Sequence, residues 1–241
     1  GDFVGFVASV YRRGTPVVHI PSTWLAAIDS AHGGKTALNV HGYKNQIGTF
    51  YPAESTFLVR EVLLKQPREL WTDAYGEALK ISLLQKIWPL PLNLAQKPLL
   101  AWKDLPLWIE GKMKIVRRDP FEKTGLRRIL NLGHTLGHVI ESELGLSHGR
   151  AVFLGTEFAY RWSCQRKAPR QPDLHLQKIF FKTELREVLQ KLLRNKSQVL
   201  RALKKDKKKV NAGEVHFIFL NRPGHWWIEK VSVDEIWQEM L

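Results

Sequence analysis

The sequence has 241 residues and an ordinary globular composition, with 44% hydrophobic and 25% charged residues. This length can bury a substantial core in one large domain or two small ones, and the composition excludes a disordered or low-complexity chain. No apolar run is long enough to cross a bilayer and no signal-peptide pattern follows Gly1, so we expect a cytoplasmic protein that does not contact membranes. The single cysteine, Cys164, excludes an internal disulfide, which fits a reducing compartment.

The net charge of +14 favours an anionic partner, because excess positive charge raises the local concentration of anions. Charge alone does not identify the anion. The densest basic cluster, Lys204–Lys209, is short and is interrupted by Asp206, whereas a nucleic-acid-binding surface usually has an extended basic stripe with interleaved aromatic residues. Nucleic acid is therefore not favoured as the partner.

The predicted elements change character near Gln66-Pro67. Before this point, two short β-type runs, Val17–Ile20 and Thr56–Val59, alternate with glycine turns, which is typical of an α/β region. After it, helical patterns cover residues 69–88, 104–118, 124–143, 149–166 and 174–204. Near the end, a β-hairpin is predicted over residues 215–231, followed by a terminal helix. The sequence thus predicts an α/β region over residues 1–67 and a mainly helical region over residues 68–241.

The most informative segment is Arg127–His138. On one continuous helix, polar side chains at steps of three and four residues would share a face, and they are Arg127, Asn131, His134, His138 and Glu141. Solvated faces usually carry Glu and Lys, so this composition favours a stripe that lines a polar cavity. Two histidines four residues apart, with a third ligand such as His148, can bind a metal and leave a position open for substrate. For any one of these histidines taken singly, a structural role is more common than metal binding. A zinc-protease motif is excluded, since it requires Glu where Thr135 stands.

Two further segments carry polar groups that suit a binding site. Glu77 and Lys80 lie three residues apart on a predicted helix, where they either face the same cavity or form an ordinary surface ion pair. The segment Asp29–Thr36 is a glycine-bearing turn whose backbone amides and lysine can approach a phosphate closely. It is not a P-loop, because the Gly-x-x-x-x-Gly-Lys spacing is absent.

Together and in this order, the segments resemble the 3-dehydroquinate synthase family of the sugar phosphate cyclases. The resemblance extends over nearly the whole chain, and the run Asn131–His138 is its most specific part. The other matching segments are Gly1-Asp2, Tyr11–Gly14, Pro21–Thr23, Asp29–Lys35, Lys44-Asn45, Glu77 with Lys80, and His148-Gly149. The family implies an α/β plus all-α fold, in which a remnant of an N-terminal α/β nucleotide-binding domain precedes a mainly helical metal- and substrate-binding domain.

The resemblance also implies the site residues. Those that would hold zinc or cobalt are Glu77, His134 and His148. Those that would contact NAD are Gly1, Asp2, Ser22, Thr23, Asp29, Lys35 and Lys44. Those that would bind the anionic substrate are Arg13, Lys35, Asn45, Lys80, Arg127 and Asn131. The implied catalytic residues are His138, Lys80, Lys112, Arg127 and Asn131, with His138 handling protons or contacting substrate instead of the metal. Arg13 would reach the phosphate site of the partner subunit, which implies a homodimer.

The activity implied is the conversion of 3-deoxy-D-arabino-heptulosonate 7-phosphate into 3-dehydroquinate and phosphate, a lyase reaction of the shikimate pathway. NAD would take a hydride from the substrate and later return it. Two alternatives stay open at this point. One is a sister sugar phosphate cyclase that acts on a sedoheptulose phosphate, and the other is a truncated, non-catalytic module that binds metal and phosphate.

Three departures from the family pattern bear on these expectations. Family members carry a long upstream segment that holds much of the NAD site, so we expect this chain to lack that part and to be inactive by itself. The family's His-Gly-Glu is replaced by His148-Gly149-Arg150, where the arginine either weakens metal binding or pairs with an anion. An additional residue lies between Asp119 and Arg127, and the phosphate-binding lysine falls near Lys207 and Lys208.

Overall fold

A computed structural model describes residues 1–41, 43–88, 90–91, 97–168, 173–181, 183–205 and 213–241. The chain forms two compact units, one of residues 1–74 and 93–127 and the other of residues 75–92 and 128–241. None of the described helices combines the length and the apolar character that crossing a membrane requires. Each unit is built from two separate stretches of sequence, and the division at residue 67 stays a prediction about domain organisation.

The first unit combines helices with two small sheets. Its elements are α1 (Asp2–Val10), a 3₁₀ turn (Tyr11–Arg13), β1 (Val18–His19), a π-helical turn (Ala26–Ser30), β2 (Lys35–Val40), β3 (Tyr43–Phe50), β4 (Ser55–Thr56), α2 (Arg60–Leu64), the start of α3 (Arg68–Gln85) and α4 (Pro98–Arg118). Strands β1 and β4 are parallel, and β2 and β3 are antiparallel. Its core contains Trp24, whose ring centroid lies 4.7 Å from that of Trp71 and whose indole N–H donates to the Leu63 carbonyl at 2.9 Å.

The second unit is mainly helical. Besides the rest of α3 and most of a 3₁₀ turn (Leu126–Asn131), it contains α5 (His134–Leu144), α6 (His148–Arg166), α7 (Leu174–Ile179), α8 (Leu185–Leu192), α9 (Lys196–Lys205), β5 (Glu214–Arg222), β6 (His225–Ser232) and α10 (Val233–Met240). Strands β5 and β6 form an antiparallel hairpin. Trp162 of α6 packs against Phe217 and Phe219 of β5, with ring centroids 4.8 and 5.0 Å apart. The α/β plus helical fold and the predicted hairpin are confirmed.

The continuous helix predicted over residues 124–143 is wrong. The 3₁₀ turn ends at Asn131, and Gly133 adopts a left-handed φ of 77° before α5 begins at His134. A Cβ at Gly133 would lie 2.7 Å from the Val152 carbonyl oxygen, so glycine here also lets α6 approach closely. Arg127 and Asn131 therefore do not share a helix face with His134, His138 and Glu141, which do lie on one helix.

Other predicted elements also differ from the structure. The pattern over residues 174–204 is three helices, α7, α8 and α9, instead of one. The strand predicted at Thr56–Val59 is limited to Ser55–Thr56, and the helix predicted from residue 104 begins at Pro98, a residue whose fixed φ suits a first helical turn. Helix α1 and the β2–β3 hairpin were not predicted. Their apolar residues are largely exposed within this unit, so the sequence shows only a weak periodicity of apolar positions there.

Candidate metal centre

Three side chains that can bind a metal lie together in the second unit. Glu77 comes from α3, and His134 and His148 are the first residues of α5 and α6. One ligand atom from each lies within 4.8 Å of the other two. The Nε2 atoms of both histidines lie 3.3 Å from the same oxygen, Oε1 of Glu77. One carboxylate oxygen and two imidazole nitrogens thus surround one point.

Close backbone packing of glycines positions these ligands. A Cβ at Gly76 would lie 2.9 Å from the carbonyl carbon of Gly149, so the two backbones meet without intervening side chains. Each glycine is next in sequence to a ligand, and their contact therefore brings Glu77 beside His148. The left-handed Gly133 has a similar role at the start of α5, because it directly precedes His134.

Hydrogen bonds at the other ring nitrogens fix how the two imidazoles point. Nδ1 of His134 lies 3.2 Å from the Leu132 carbonyl oxygen, and Nδ1 of His148 lies 3.2 Å from Oε2 of Glu141. A carbonyl oxygen accepts, and a carboxylate oxygen accepts as well, so we assign the hydrogen to Nδ1 in both rings. The Nε2 atoms of both rings are thereby directed at Glu77.

The charge at the centre is balanced by a buried lysine. Glu77 is fully buried, and its Oε2 contacts Nζ of Lys80, which is also buried. Burial alone would raise the pKa of Glu77, but the Lys80 ammonium and, to a lesser extent, the contacts with His134 and His148 hold that pKa well below its usual range. Burial and the nearby Lys80 lower the pKa of His134, whereas contact with the Glu77 carboxylate raises the pKa of His148. Glu77 is therefore a carboxylate and His134 a neutral imidazole at neutral pH, as metal ligands must be.

His138 lies beside the centre. It is one turn along α5 from His134, and its ring centroid is 5.3 Å from that of His134 and 6.4 Å from that of His148. In the part of the chain that the structure describes, the group able to hold a metal comprises Glu77, His134 and His148 and does not include His138.

In the first unit, two predicted catalytic cations are anchored near the glycine-bearing turn. Nζ of Lys112 lies 2.8 Å from Oδ1 of Asp29 and also donates to the Asp29 carbonyl. The two terminal nitrogens of Arg127 donate to the carbonyls of Gly33 at 2.7 Å and Pro120 at 2.8 Å. Both cations are buried, and several hydrogen bonds fix the position of each.

Arg127 is also held by the loop that precedes it. The Asp119 carboxylate accepts from the backbone amides of Thr124 at 3.0 Å and Arg127 at 3.1 Å. The Arg127 guanidinium lies 5.5 Å from the ring centroid of Phe50, within cation–π distance. Sequence patterns did not assign this role to Asp119, since no local pattern links it to a residue eight positions later.

Lys35 has a partner that was not predicted. Its Nζ lies 2.8 Å from Oε2 of Glu122, a residue with a left-handed φ of 58°. Glu122 belongs to the loop in which the sequence carries an additional residue. Such a contact is invisible in the sequence because it depends on an irregular loop conformation.

The remaining residues predicted for NAD lie at element ends. Gly1 directly precedes α1 and Asp2 begins it, and Ser22 is exposed before the following helical turn. The Thr23 hydroxyl accepts from the Ala26 amide at 3.1 Å and so caps that turn. The side chain of Lys44 lies outside the described residues, as do Lys207 and Lys208.

Two of the residues predicted for the substrate have strained backbones. Arg13 and Asn45 have φ values of 68° and 54°. The backbone amide of Asn45 donates to Oδ1 of Asn39 at 3.0 Å, which supports the left-handed conformation of Asn45. Asn131 is exposed at the end of the 3₁₀ turn.

Arg150, the cation that follows His148 and Gly149, pairs with an anion. Its guanidinium forms a two-pronged ion pair with the Glu184 carboxylate, which raises the pKa of Arg150. Of the two outcomes expected for this departure from the family pattern, pairing with an anion is the one observed.

Two solved structures of carbocycle-forming synthases superpose closely on this chain. A 2-deoxy-scyllo-inosose synthase in complex with carbaglucose-6-phosphate, NAD+ and Co2+ superposes with a TM-score of 0.84 at 24% identity, covering 100% of this chain and 70% of that chain. A 2-epi-5-epi-valiolone synthase from Streptomyces hygroscopicus with NAD+ and Zn2+ bound gives a TM-score of 0.79 at 25% identity, covering 99% and 69%. The chain therefore has the fold of these two cyclases.

Sequence comparison identifies the family. The profile of the N-terminal region of 3-dehydroquinate synthase matches residues 1–73, and that of the C-terminal region matches residues 106–209. The 3-dehydroquinate synthase of Pyrobaculum islandicum is 33% identical over 98% of this chain and 71% of its own length. The chain belongs to the 3-dehydroquinate synthase family.

Proposed function

We propose that the protein is a 3-dehydroquinate synthase, which converts 3-deoxy-D-arabino-heptulosonate 7-phosphate into 3-dehydroquinate and phosphate. The observation that carries the proposal is the convergence of Glu77, His134 and His148 in a chain of this family. The proposed cofactors are NAD and a divalent metal, zinc or cobalt. These are the cofactors named in the two cyclase complexes that share the fold.

The three converging side chains fit such a metal. Two imidazole nitrogens and one carboxylate oxygen form a donor set that zinc accepts, and three protein ligands leave a position for a substrate oxygen. The Lys80 ammonium offsets the charge of Glu77, and the Nδ1 hydrogen bonds leave Nε2 of both rings for the ion. When bound, the metal would polarise substrate oxygens as a Lewis acid.

The glycine-bearing turn fits a phosphate-containing cofactor. Gly33 and Gly34 have φ values of 116° and 65°, conformations that glycine adopts readily and that let the backbone approach a ligand closely. We propose that this turn, with Asp29 and Lys35, contributes to NAD binding. The other residues proposed for NAD are Gly1, Asp2, Ser22, Thr23 and Lys44. NAD, when bound, would accept a hydride and return it.

Cationic side chains are proposed to bind the carboxylate and the phosphate of the substrate. Lys112 and Arg127 are buried and multiply hydrogen-bonded, so their ordering entropy is lost during folding and not at binding. Lys80 is likewise fixed by Glu77. The further residues proposed for the substrate are Arg13, Lys35, Asn45 and Asn131. His138 is proposed to move protons, since its ring adjoins both ligand histidines.

A homodimer is a further part of the proposal. In the family, the residue matching Arg13 serves the partner subunit. Arg12 and Arg13 are consecutive left-handed residues with φ values of 48° and 68°, and such strain is concentrated at functional sites. Light scattering of the purified protein tests this point, and a monomeric mass would contradict it.

Phosphate release tests the proposed activity. The full-length protein is incubated with NAD, Zn2+ and the heptulosonate phosphate, and inorganic phosphate and 3-dehydroquinate are both measured. Sedoheptulose 7-phosphate serves as the competing substrate. We expect turnover of the heptulosonate phosphate but not of sedoheptulose 7-phosphate. We also expect His134→Ala to lose this turnover. Turnover of sedoheptulose 7-phosphate alone would instead identify a sister cyclase, and metal binding without any turnover would identify a non-catalytic module.

A further inference from the structure

Helix α5 provides a second acidic residue that contacts a proposed metal ligand. Oε2 of Glu141 lies 3.2 Å from Nδ1 of His148, which follows it by seven residues. Glu141 is also two helical turns beyond His134, so both residues lie on the same face of α5. One helix therefore supplies a ligand directly and contacts another ligand that belongs to α6.

The two ligand histidines are oriented by different kinds of acceptor. Nδ1 of His134 faces the Leu132 carbonyl, which is part of the backbone that leads into α5 and is buried with its residue. His148 has a side-chain acceptor, and side-chain contacts of this kind can be removed by substitution. The exposed fraction is 29% for the His148 side chain and 24% for that of Glu141, so solvent also reaches this pair. Coulombic attraction is screened there, and the contribution of Glu141 is mainly geometric.

We propose that Glu141 is a positioning residue that fixes the tautomer and the ring orientation of His148 for metal binding. When Glu141 accepts the Nδ1 hydrogen, Nε2 is the only ring nitrogen with a lone pair free to bind a metal. Nε2 is also the atom that lies 3.3 Å from Oε1 of Glu77. Without this acceptor the ring can rotate, and the other tautomer places a hydrogen on Nε2. The inference rests on the proposed function only through the metal.

The experiment measures metal affinity and needs neither substrate nor NAD. The full-length protein is stripped with a chelator and titrated with Zn2+ in competition with a chromophoric chelator, and Co2+ loading is followed by its visible absorption bands. The variants are Glu141→Ala, Glu141→Gln and, as a matched control on the same helix, Glu143→Ala, because Glu143 hydrogen-bonds only to Ser142 among the described contacts.

We expect Glu141→Ala to lower the Zn2+ affinity about 10- to 100-fold and to change the Co2+ bands. Glu141→Gln keeps an oxygen that can accept from Nδ1 and should lose less, whereas Glu143→Ala should match the unmodified protein. Unchanged affinity and unchanged bands in Glu141→Ala would overturn the inference and leave the proposed synthase activity intact. If Glu141→Ala does not fold, Glu141→Met decides, because methionine keeps most of the side-chain volume but offers Nδ1 no oxygen acceptor. A weaker Zn2+ affinity in that variant supports the positioning role and an equal one contradicts it.

Discussion

Glu77 and Lys80, three residues apart on α3, are both buried and form an ion pair at the centre of the second unit. Removing one member of a buried pair leaves the other charge uncompensated, which typically costs about 3–5 kcal/mol. We therefore expect Lys80→Met to lower the free energy of unfolding of the metal-free protein by about that amount. Urea denaturation with a chelator present measures it.

The same substitution should cost less when Zn2+ is present, because the ion supplies a positive charge to Glu77. Lys178→Met, a change of an exposed lysine in the same unit, is the control and should alter stability by less than about 0.5 kcal/mol. An equal loss with and without Zn2+ would argue against a cation bound at Glu77.

Metal binding should itself stabilise the fold. A ligand that binds only the native state at about 100 times its Kd adds about 2.7 kcal/mol to the free energy of unfolding. We expect this gain with Zn2+ in the unmodified protein and its absence in His134→Ala, while His175→Ala, an exposed histidine of α7, keeps it. Thermal unfolding at several Zn2+ concentrations gives the result, and a gain that survives in His134→Ala would place the ion elsewhere.

Asp119 should make the stability of the fold depend on pH in the acid range. Burial alone would raise the pKa of this carboxyl, but hydrogen bonds from the amides of Arg127 and Thr124 lower it to about 2. A depressed folded-state pKa contributes stability that is complete above the unfolded pKa and is lost as pH falls between about 4 and 2. Asp119→Asn should therefore lower Tm by a few degrees at neutral pH and flatten its decline over that acid range.

Asp104→Asn is the matched control in the same unit. Burial raises the pKa of Asp104, so its charged form opposes folding and its replacement should not lower Tm at neutral pH. Parallel acid titration curves for Asp119→Asn and the unmodified protein would show that the Asp119 hydrogen bonds do not hold the loop before Arg127.

Gly133 should tolerate no side chain. Its φ of 77° is unfavourable for other residues, and a Cβ would lie 2.7 Å from both the Thr156 amide and the Val152 carbonyl oxygen. Gly145 has a similar φ of 66°, but a Cβ there would meet no atom within 4 Å, so it isolates backbone strain from steric clash. We expect Gly145→Ala to lower the free energy of unfolding by about 1 kcal/mol. Gly133→Ala should lower it by about 1–3 kcal/mol more. Equal losses in urea denaturation would mean that α5 and α6 can separate freely.

Arg150→Ala should leave the metal centre unchanged. The Arg150 guanidinium is engaged by Glu184, and exposed pairs of this kind contribute less than about 1 kcal/mol. We expect a small loss of stability and a Zn2+ affinity close to that of the unmodified protein. A clear gain in affinity would show that the positive charge next to His148 and Gly149 still acts on the metal.

Local sequence determined the elements whose apolar and polar residues recur regularly. Helices α3 and α6 and the β5–β6 hairpin follow from side-chain periodicity and from turn residues, both of which are local properties. The break at Gly133 was missed because the polar residues on either side of it keep a helical spacing. Periodicity does not register a single left-handed residue.

Tertiary structure decided which of these polar residues meet. Glu77 and His148 are 71 positions apart, and Asp29 and Lys112 are 83 positions apart, so no local pattern connects them. From residues alone, His134 and His138 were equal candidates for a metal, and only the family resemblance separated them. The fold separates them physically, because Oε1 of Glu77 lies 3.3 Å from Nε2 of His134, while His138 lies one turn farther along α5.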